Sequence, residues 1–396
     1  MRKIVILCLL AWATGGCSQA EPGTSDSAAD VGEPVDTTAI DGIDAEDIGG
    51  PDIGVAADTT APDAVEKETD AGVEVDPTEA MFEADRLLDV EITLPPEDWD
   101  ALRLQTRTIL DLFGVGCMEG PFESPFSYFQ GEVRIDGELV EKVGIRKKGF
   151  LGSLSENRPS LKVKFGEYVE DQAFEGMRRL TLNNSRQDPS KLRQCISYDL
   201  FRKAGLVAPR CNWAKVTVNG NYLGLYVHVE SLKKPFVRRN FSSDEGTLWE
   251  GTLSDFRQGW MKTFEQKTNK GEDDNAGLVA IQEALSAPDD VLFDTLNAHM
   301  DVEKFIDFWA MEVLIGHWDG YAGNTNNFYL YEDPTDGHRV TFIPWGADGT
   351  LTLPLDEEGK FIEGALHSVN LTGALVKRLP WDWLIACMLL VSVYLD

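Results

Sequence analysis

Between Ser18 and Ala80 the chain carries no Phe, Tyr or Trp, and this decides where a fold can form. The segment is built of Ala, Asp, Pro, Gly, Thr and Val, with eighteen Asp and Glu against one Lys. Such a stretch cannot bury enough apolar surface to offset the entropy of ordering it, and its like charges repel. Residues 18–80 are expected to be a disordered acidic tether, so the fold of this 396-residue chain falls to residues 81–396. The formal net charge is −31, more than half of it on the tether. A chain of that sign repels phosphate backbones, which argues against nucleic acid as a partner.

Ahead of the tether, "MRKIVILCLLAWATGGCSQA" has a basic start and a short apolar run ending in small residues, the pattern of a secretory signal. "TGGC" resembles a bacterial lipobox, with Thr14 where Leu is usual, so residues 1–17 read as a lipoprotein signal and Cys17 as the lipidated first residue. The expected location is the outer membrane or cell surface, with the lipid as the membrane contact. Of the remaining cysteines, Cys117, Cys195, Cys211 and Cys387 allow three pairings that the sequence does not rank. The apolar run from Trp383 to Leu395 is too short to span a bilayer.

From Met81 the pattern is that of a packed domain. "LLDVEITLP" reads as a strand and "PPEDWDALRLQ" as a helix opened by prolines and acids. "GEVRIDGELVEKVGIRKKG" and "AKVTVNGNYLGLYVHVE" are hairpins about Asp136-Gly137 and Asn219-Gly220. "PSLKVKF" and "RRLTLNN" are further strands, and "DPSKLRQCISYDLFRKAG" is a helix with Asp188 as its cap, Pro189 in its first turn and Gly205 as its stop. "NAGLVAIQEAL" and "DVEKFIDFWAMEVLIGH" follow as helices, then "NNFYLY" and "HRVTFIPW" as strands. A sheet-rich first half and a helix-rich second half give an α+β chain in two lobes with a cleft between them.

The chemistry gathers in "GHWDGYAGNTNNFYLY". His317, Asp319 and Asn324 keep the H-x-D-x-x-x-x-N spacing of a protein-kinase catalytic loop, in which the Asp orients a substrate hydroxyl and the Asn binds magnesium. Asp348, in "FIPWGADGTL", stands where such a site needs a second metal-binding carboxylate. Upstream, Gly149, Gly152, Ser153 and Ser155 form a loop between two strands that can cradle phosphates with backbone N–H groups. In the next strand Lys162 and Lys164 share the face opposite Leu161, Val163 and Phe165, and a lysine there is placed to pair with nucleotide phosphates. The competing reading makes the loop Asx residues turn caps and the lysines a solvated edge. A loop carboxylate such as Asp319 is in either case expected to contribute little to packing.

Four ordered segments, "VGIRKKGFLGSLSENRPSLKVKF", "LTLNNSRQDPSKLRQCISYDLFRKAGLVAPR", "VTVNGNYLGLYVHVE" and "HWDGYAGNTNNFYLY…FIPWGADGTL", together resemble the CotH kinase family across roughly residues 85–352. The resemblance implies an atypical, secreted protein-kinase-like fold that uses ATP and Mg2+ (or Mn2+) to phosphorylate serine on surface or envelope proteins. It implies Asp319 as the catalytic aspartate, Asn324 as a metal ligand, and Lys162 as the nucleotide lysine. Glu230, ending "LYVHVE", falls where the chain passes between lobes and is assigned to the cofactor site. One departure stands out. The family often reads Trp-Asp-x-Asp where this chain has Trp345-Gly346-Ala347-Asp348. The alternatives to an enzyme are a catalytically inactive CotH domain in surface assembly or adhesion, and a carbohydrate- or calcium-binding module built on the Asx-rich loop.

Overall fold

The computed structural model describes residues 76–108, 118–122, 124–270, 275–352 and 373–378. The signal, Cys17, Cys117, Cys387 and the run from Trp383 to Leu395 lie outside the described residues, as does the tether up to Val75. The described chain opens on Asp76, whose carboxylate pairs with Arg210 at 3.0 Å.

Seven strands close into a barrel: β1 (Leu87–Thr93), β2 (Phe129–Ile135), β3 (Glu138–Lys148), β4 (Ser160–Lys164), β5 (Arg179–Asn183), β6 (Cys211–Val218) and β7 (Asn221–Val229). Their order is β1-β2-β3-β4-β5-β7-β6, and β1 closes the ring by pairing parallel with β6. Strand alternation sends Val90, Val133, Ile145, Leu161, Leu182 and Val216 into the barrel, all fully or almost fully buried. Both hairpin turns take the left-handed backbone their sequences call for, at Asp136-Gly137 and Asn219-Gly220. Helix α1 (Pro96–Leu104) lies against β3, and Lys147 donates to the carbonyls of Arg103 and Gln105 at its C-terminal end, each at 2.6 Å.

The second half is built on a four-stranded sheet, β8 (Thr247–Gly251), β9 (Glu265–Gln266), β10 (Phe328–Asp333) and β11 (Arg339–Pro344), in the order β11-β10-β8-β9. Helices α2 (Arg193–Lys203), α3 (Lys234–Asn240), α4 (Ala276–Ala284), α5 (Leu292–Asn297), α6 (Val302–Leu314), α7 (Tyr321–Asn324) and α8 (Ala374–Arg378) accompany it. Phe305, Phe308, Trp309, Tyr321, Phe328 and Phe342 form the aromatic centre of this core. The architecture is α+β, sheet-rich then helix-rich, as a kinase-like two-lobed fold requires.

One local expectation needs correction. Helix α2 starts at Arg193 rather than at Pro189, because Lys191 has a left-handed backbone (φ 64°) that no helix accommodates. Asp188 is nonetheless its anchor: the carboxylate accepts from the N–H of Ser190 at 3.0 Å and from that of Arg193 at 2.9 Å. The open cysteine question is also answered for one pair, since Cys195 of α2 is bonded to Cys211 of β6.

Candidate active site

The amides of the Asx-rich loop converge on one carboxylate. Asn324 Nδ2 donates to Asp319 Oδ1 at 2.7 Å, Asn326 Nδ2 to the same oxygen at 3.2 Å, and Asn327 Nδ2 to Oδ2 at 2.8 Å. Left-handed backbone at Thr325 (φ 47°) and Asn327 (φ 51°) folds the turn tightly enough for all three to reach. Glu312 of α6 holds the loop from beneath, accepting from the N–H groups of Tyr321 at 3.0 Å and Ala322 at 2.8 Å. Asp319 is thus part of the loop's framework, and the expectation that it adds little to packing does not hold. Its pKa is raised by burial, with the three amides and His317 opposing.

Asp348 sits in the turn after β11 and belongs to the same electrostatic group. Burial pushes its carboxyl up to about 6, Lys148 pulls it down, and the like charge of Asp319 pushes it further up. Two mutually repelling carboxylates invite a cation. Among the described residues no set of three His, Cys, Asp or Glu could cage a metal by itself. The donor set fits magnesium or manganese bound with help from phosphate, because such ions take one or two protein oxygens and keep the rest for water and substrate. Asp348 supplies a carboxylate. Asn324 commits its N–H end to Asp319, which leaves its carbonyl oxygen uncommitted by that bond.

Facing these acids is the outer side of β3, β4 and β5. The pairing register sets Arg146 beside Lys162 and Lys162 beside Thr181, and strand parity adds Lys148, Arg179 and Asn183 to the same face. Lys148 is half-buried, and its pKa is lowered to about 8 by burial, with Asp348 and Glu250 opposing. Lys162, one strand over, is driven well below its ordinary value by burial and by Arg146, Lys148 and Arg179. Glu250 of β8 answers this charge: burial raises its pKa, but Lys267 dominates and holds it below the usual range, helped by Tyr329 and Lys162. Crowded, partly desolvated cations of this kind gain stability when a polyanion neutralises them.

Lys148 is also tied mechanically to the Asp348 turn. Its ammonium donates to Asn183 Oδ1, Asn183 Nδ2 donates to Gln194 Oε1 at 2.8 Å, and Gln194 Nε2 donates to the Tyr198 hydroxyl at 3.0 Å. The Tyr198 hydroxyl in turn lies beside the backbone of Gly346 and Ala347. Lys164, by contrast, pairs with Glu167 at 2.5 Å and stands apart from the group.

The glycine-rich loop joins through Gln187. A Cβ on Gly152 would collide with the Gln187 amide, and one on Gly349 would lie 3.5 Å from the other end of that amide and 3.1 Å from Trp318 Nε1. Gly149 (φ 128°) makes the tight turn out of β3, and Ser153 Oγ accepts from the N–H of Phe150 at 3.1 Å, so Ser153 shapes the turn itself. Asn184 Nδ2 fixes the loop by donating to the carbonyls of Ser153 at 2.9 Å and Arg158 at 2.8 Å.

The structure therefore brings together Asp319, Asn324, Asp348, Lys162, Gly149, Gly152 and Ser153. It does not bring Glu230. That carboxylate is buried and engaged by Arg210 at 2.7 Å and Arg239 at 2.6 Å, where it braces the end of β7. Lys148, Arg146, Arg179, Asn183 and Glu250 were not singled out by sequence reasoning. Strand parity across "GIRKKG" could have found the first two, but nothing local marks β8 as the carrier of Glu250.

A model of the CotH kinase protein family matches residues 145–379, which include every residue of this cluster. The chain is similar to "Inner spore coat protein H" of Bacillus subtilis (strain 168), 26% identical over 194 residues, 46% of this chain and 52% of that protein. It is similar to "Invasin CotH7" of Rhizopus delemar, 25% identical over 208 residues, 50% of this chain and 34% of that protein. It is also 23% identical over 209 residues to a B. subtilis "Inner spore coat protein H-like protein", covering 50% of this chain and 59% of that one. The match thus spans about half of the first relative's length and about a third of the second's.

Proposed function

We propose, since this chain belongs to the CotH kinase protein family, that it transfers the γ-phosphoryl group of ATP to serine on proteins of the envelope or cell surface. The observation that carries this reading is the opposition of two half-buried carboxylates, Asp319 and Asp348, to a face of depressed lysines. In the reaction the serine oxygen forms a bond to the γ-phosphorus while the bond from that phosphorus to the β–γ bridging oxygen breaks, and ADP leaves. Asp319, aimed by its three amides, accepts the serine proton. Lys148 and Lys162 neutralise the phosphates, and the Gly149–Ser153 turn covers them. Asp348 and Asn324 hold Mg2+ or Mn2+, which supplies charge stabilisation to the phosphoryl oxygens when bound.

The test is ATP- and metal-dependent autophosphorylation of the purified domain. Asp319→Ala is expected to abolish it and also to lower the thermal midpoint, because Asn324, Asn326 and Asn327 lose their shared acceptor, at about 1–3 kcal/mol for polar groups left unpaired. Transfer that persists in this variant would remove Asp319 from its role. A second reading rests on Gly346, where the family pattern has a carboxylate: a catalytically inactive domain that works in surface assembly or adhesion. Wild-type protein that binds neither nucleotide nor metal would favour it.

Relatives named as spore coat proteins and invasins support a surface or extracellular location, and the lipobox-like "TGGC" supports anchoring through a lipid on Cys17. Cys17→Ser is expected to move the protein from the membrane fraction to the soluble one; retention in the membrane would exclude that anchor.

A further inference from the structure

Beside the glycine-rich turn lies a pocket of about 730 Å3 that none of these roles uses. One wall is the segment Leu154–Arg158 that follows the turn, and the other is drawn from residues between β5 and α2. Lys147, Arg158, Arg186 and Lys191 line it against a single acid, Glu156. Some of these cations are already engaged: Lys147 with the end of α1, and Lys191 with the carbonyls of Ser185 and Asp188, each at 3.0 Å. Others keep capacity. Arg158 stacks 4.8 Å over Tyr226 and donates one terminal nitrogen to the Leu225 carbonyl, but its buried Nε has no partner among the described residues, and Arg186 is exposed and makes no ion pair among them. Ser185 is 1% exposed, its Oγ has no hydrogen-bond partner among the described residues, and its backbone is left-handed (φ 47°). A net positive pocket with unpartnered donors suits an anionic group that offers acceptor oxygens.

Its position sets the kind of anion. Lys147 and Lys148 are neighbours on β3 and point to opposite faces, so the pocket and the Lys148–Lys162 face are distinct surfaces of one strand. The two are nonetheless close along the route a polypeptide would take. Gln187, in the same segment as Ser185 and Arg186, approaches Gly349, which the exposed Trp318 next to Asp319 also approaches, and the Asp348 charge is felt at Lys191. We propose that this pocket receives the acidic flank of the acceptor polypeptide, so that the preferred serine has Glu or Asp residues near it in sequence. The proposal rests on the kinase reading for its context, while the pocket's preference for carboxylates can be measured without catalysis.

The experiment uses the tethered, full domain and three synthetic peptides with one serine flanked by Glu, Ala or Lys. Fluorescence anisotropy without nucleotide should show the Glu peptide binding at least about fivefold more tightly than the Lys peptide, with the difference shrinking in high salt. Arg186→Glu should weaken Glu-peptide binding by about fivefold or more, and Arg186→Lys should restore most of it. In phosphotransfer assays the same change should raise KM for the Glu peptide far more than KM for ATP. Equal binding of the three peptides, or an Arg186→Glu effect confined to ATP, overturns the proposal and gives the pocket to the nucleotide. Charge-selective binding without any phosphotransfer would sustain the pocket and sink the kinase reading, whereas phosphotransfer indifferent to flanking charge would do the reverse.

Discussion

Gly346 is the residue on which the active and inactive readings of this domain divide. Its backbone is left-handed (φ 55°), and a Cβ placed there would fall on the Asn327 amide that holds Asp319. From sequence alone, Gly346→Asp would be expected to change nucleotide binding only modestly, with Asp348 serving whether or not a second carboxylate is added. The structure reverses that expectation. Any side chain at 346 meets about 1–2 kcal/mol of backbone strain and also displaces Asn327 from Asp319. Gly346→Ala should therefore lower the thermal midpoint and reduce phosphotransfer, and Gly346→Asp should do so at least as strongly. A Gly346→Asp protein that gains activity over an inert wild type would show that the turn can open to admit a carboxylate. In that case the inactive reading of the native domain is correct.

At the scale of elements, the lysine face makes an unusual demand on pH. The ammonium groups of Lys148 and Lys233 titrate near 8 and near 7, against an ordinary value of 10.5; burial is the main cause at both, followed at Lys233 by the charges of Arg179 and Lys267. The unfolded chain holds protons on these lysines throughout the window that the folded domain has already vacated. Unfolding therefore takes up protons between about pH 7 and 10.5, and stability rises with pH across that window and is lost as pH falls through the folded values. Urea midpoints should be higher at about pH 9 than at about pH 7, and replacing Lys148 and Lys233 together with Met should flatten the difference. Inorganic triphosphate should flatten it too, by making the charged form favourable. An unchanged slope in the double variant would mean that these ammonium groups are better solvated than the geometry implies.

The same elements show what the sequence could disclose. Period-two alternation and the two Asx-Gly turns located the strands of the barrel, because those signals are local. Closure of the ring was not legible, since the parallel pairing of β1 with β6 joins residues such as Val90 and Val216 that are far apart in the chain. The His-x-Asp and its asparagines were visible as a pattern, but the convergence of the amides on Asp319 depends on left-handed backbone at Asn327, which an Asn tolerates, and also at Thr325, where a β-branched residue gives no sign of it. Glu230 failed for the opposite reason: a strand-end carboxylate looks available until the fold brings Arg210 and Arg239 to it.

Over the whole molecule, α2 is the joint between the barrel and the site. Cys195 bonds it to Cys211 at the start of β6. Ser197 Oγ lies 2.7 Å from Thr350 Oγ1, Tyr198 meets the backbone of the Asp348 turn, and Phe201 packs 5.6 Å from Phe308 in the second core. One helix thus links the lysine face, through Gln194, and the Asp348 turn, through Tyr198, in a single frame. Removing the bridge releases the 16-residue separation between Cys195 and Cys211, and a loop of that size is worth about 3 kcal/mol by restricting the unfolded chain. Cys195→Ser with Cys211→Ser should lower the urea midpoint accordingly and leave the barrel strands formed. If α2 is also the frame of the site, the loss of kcat should exceed the loss of ATP affinity, because phosphates still find the lysines while Asp348 is held less firmly against them. A variant with lowered stability but unaltered kcat would confine the bridge to stability and leave the hydrogen-bonded chain through Gln194 and Tyr198 to align the site by itself.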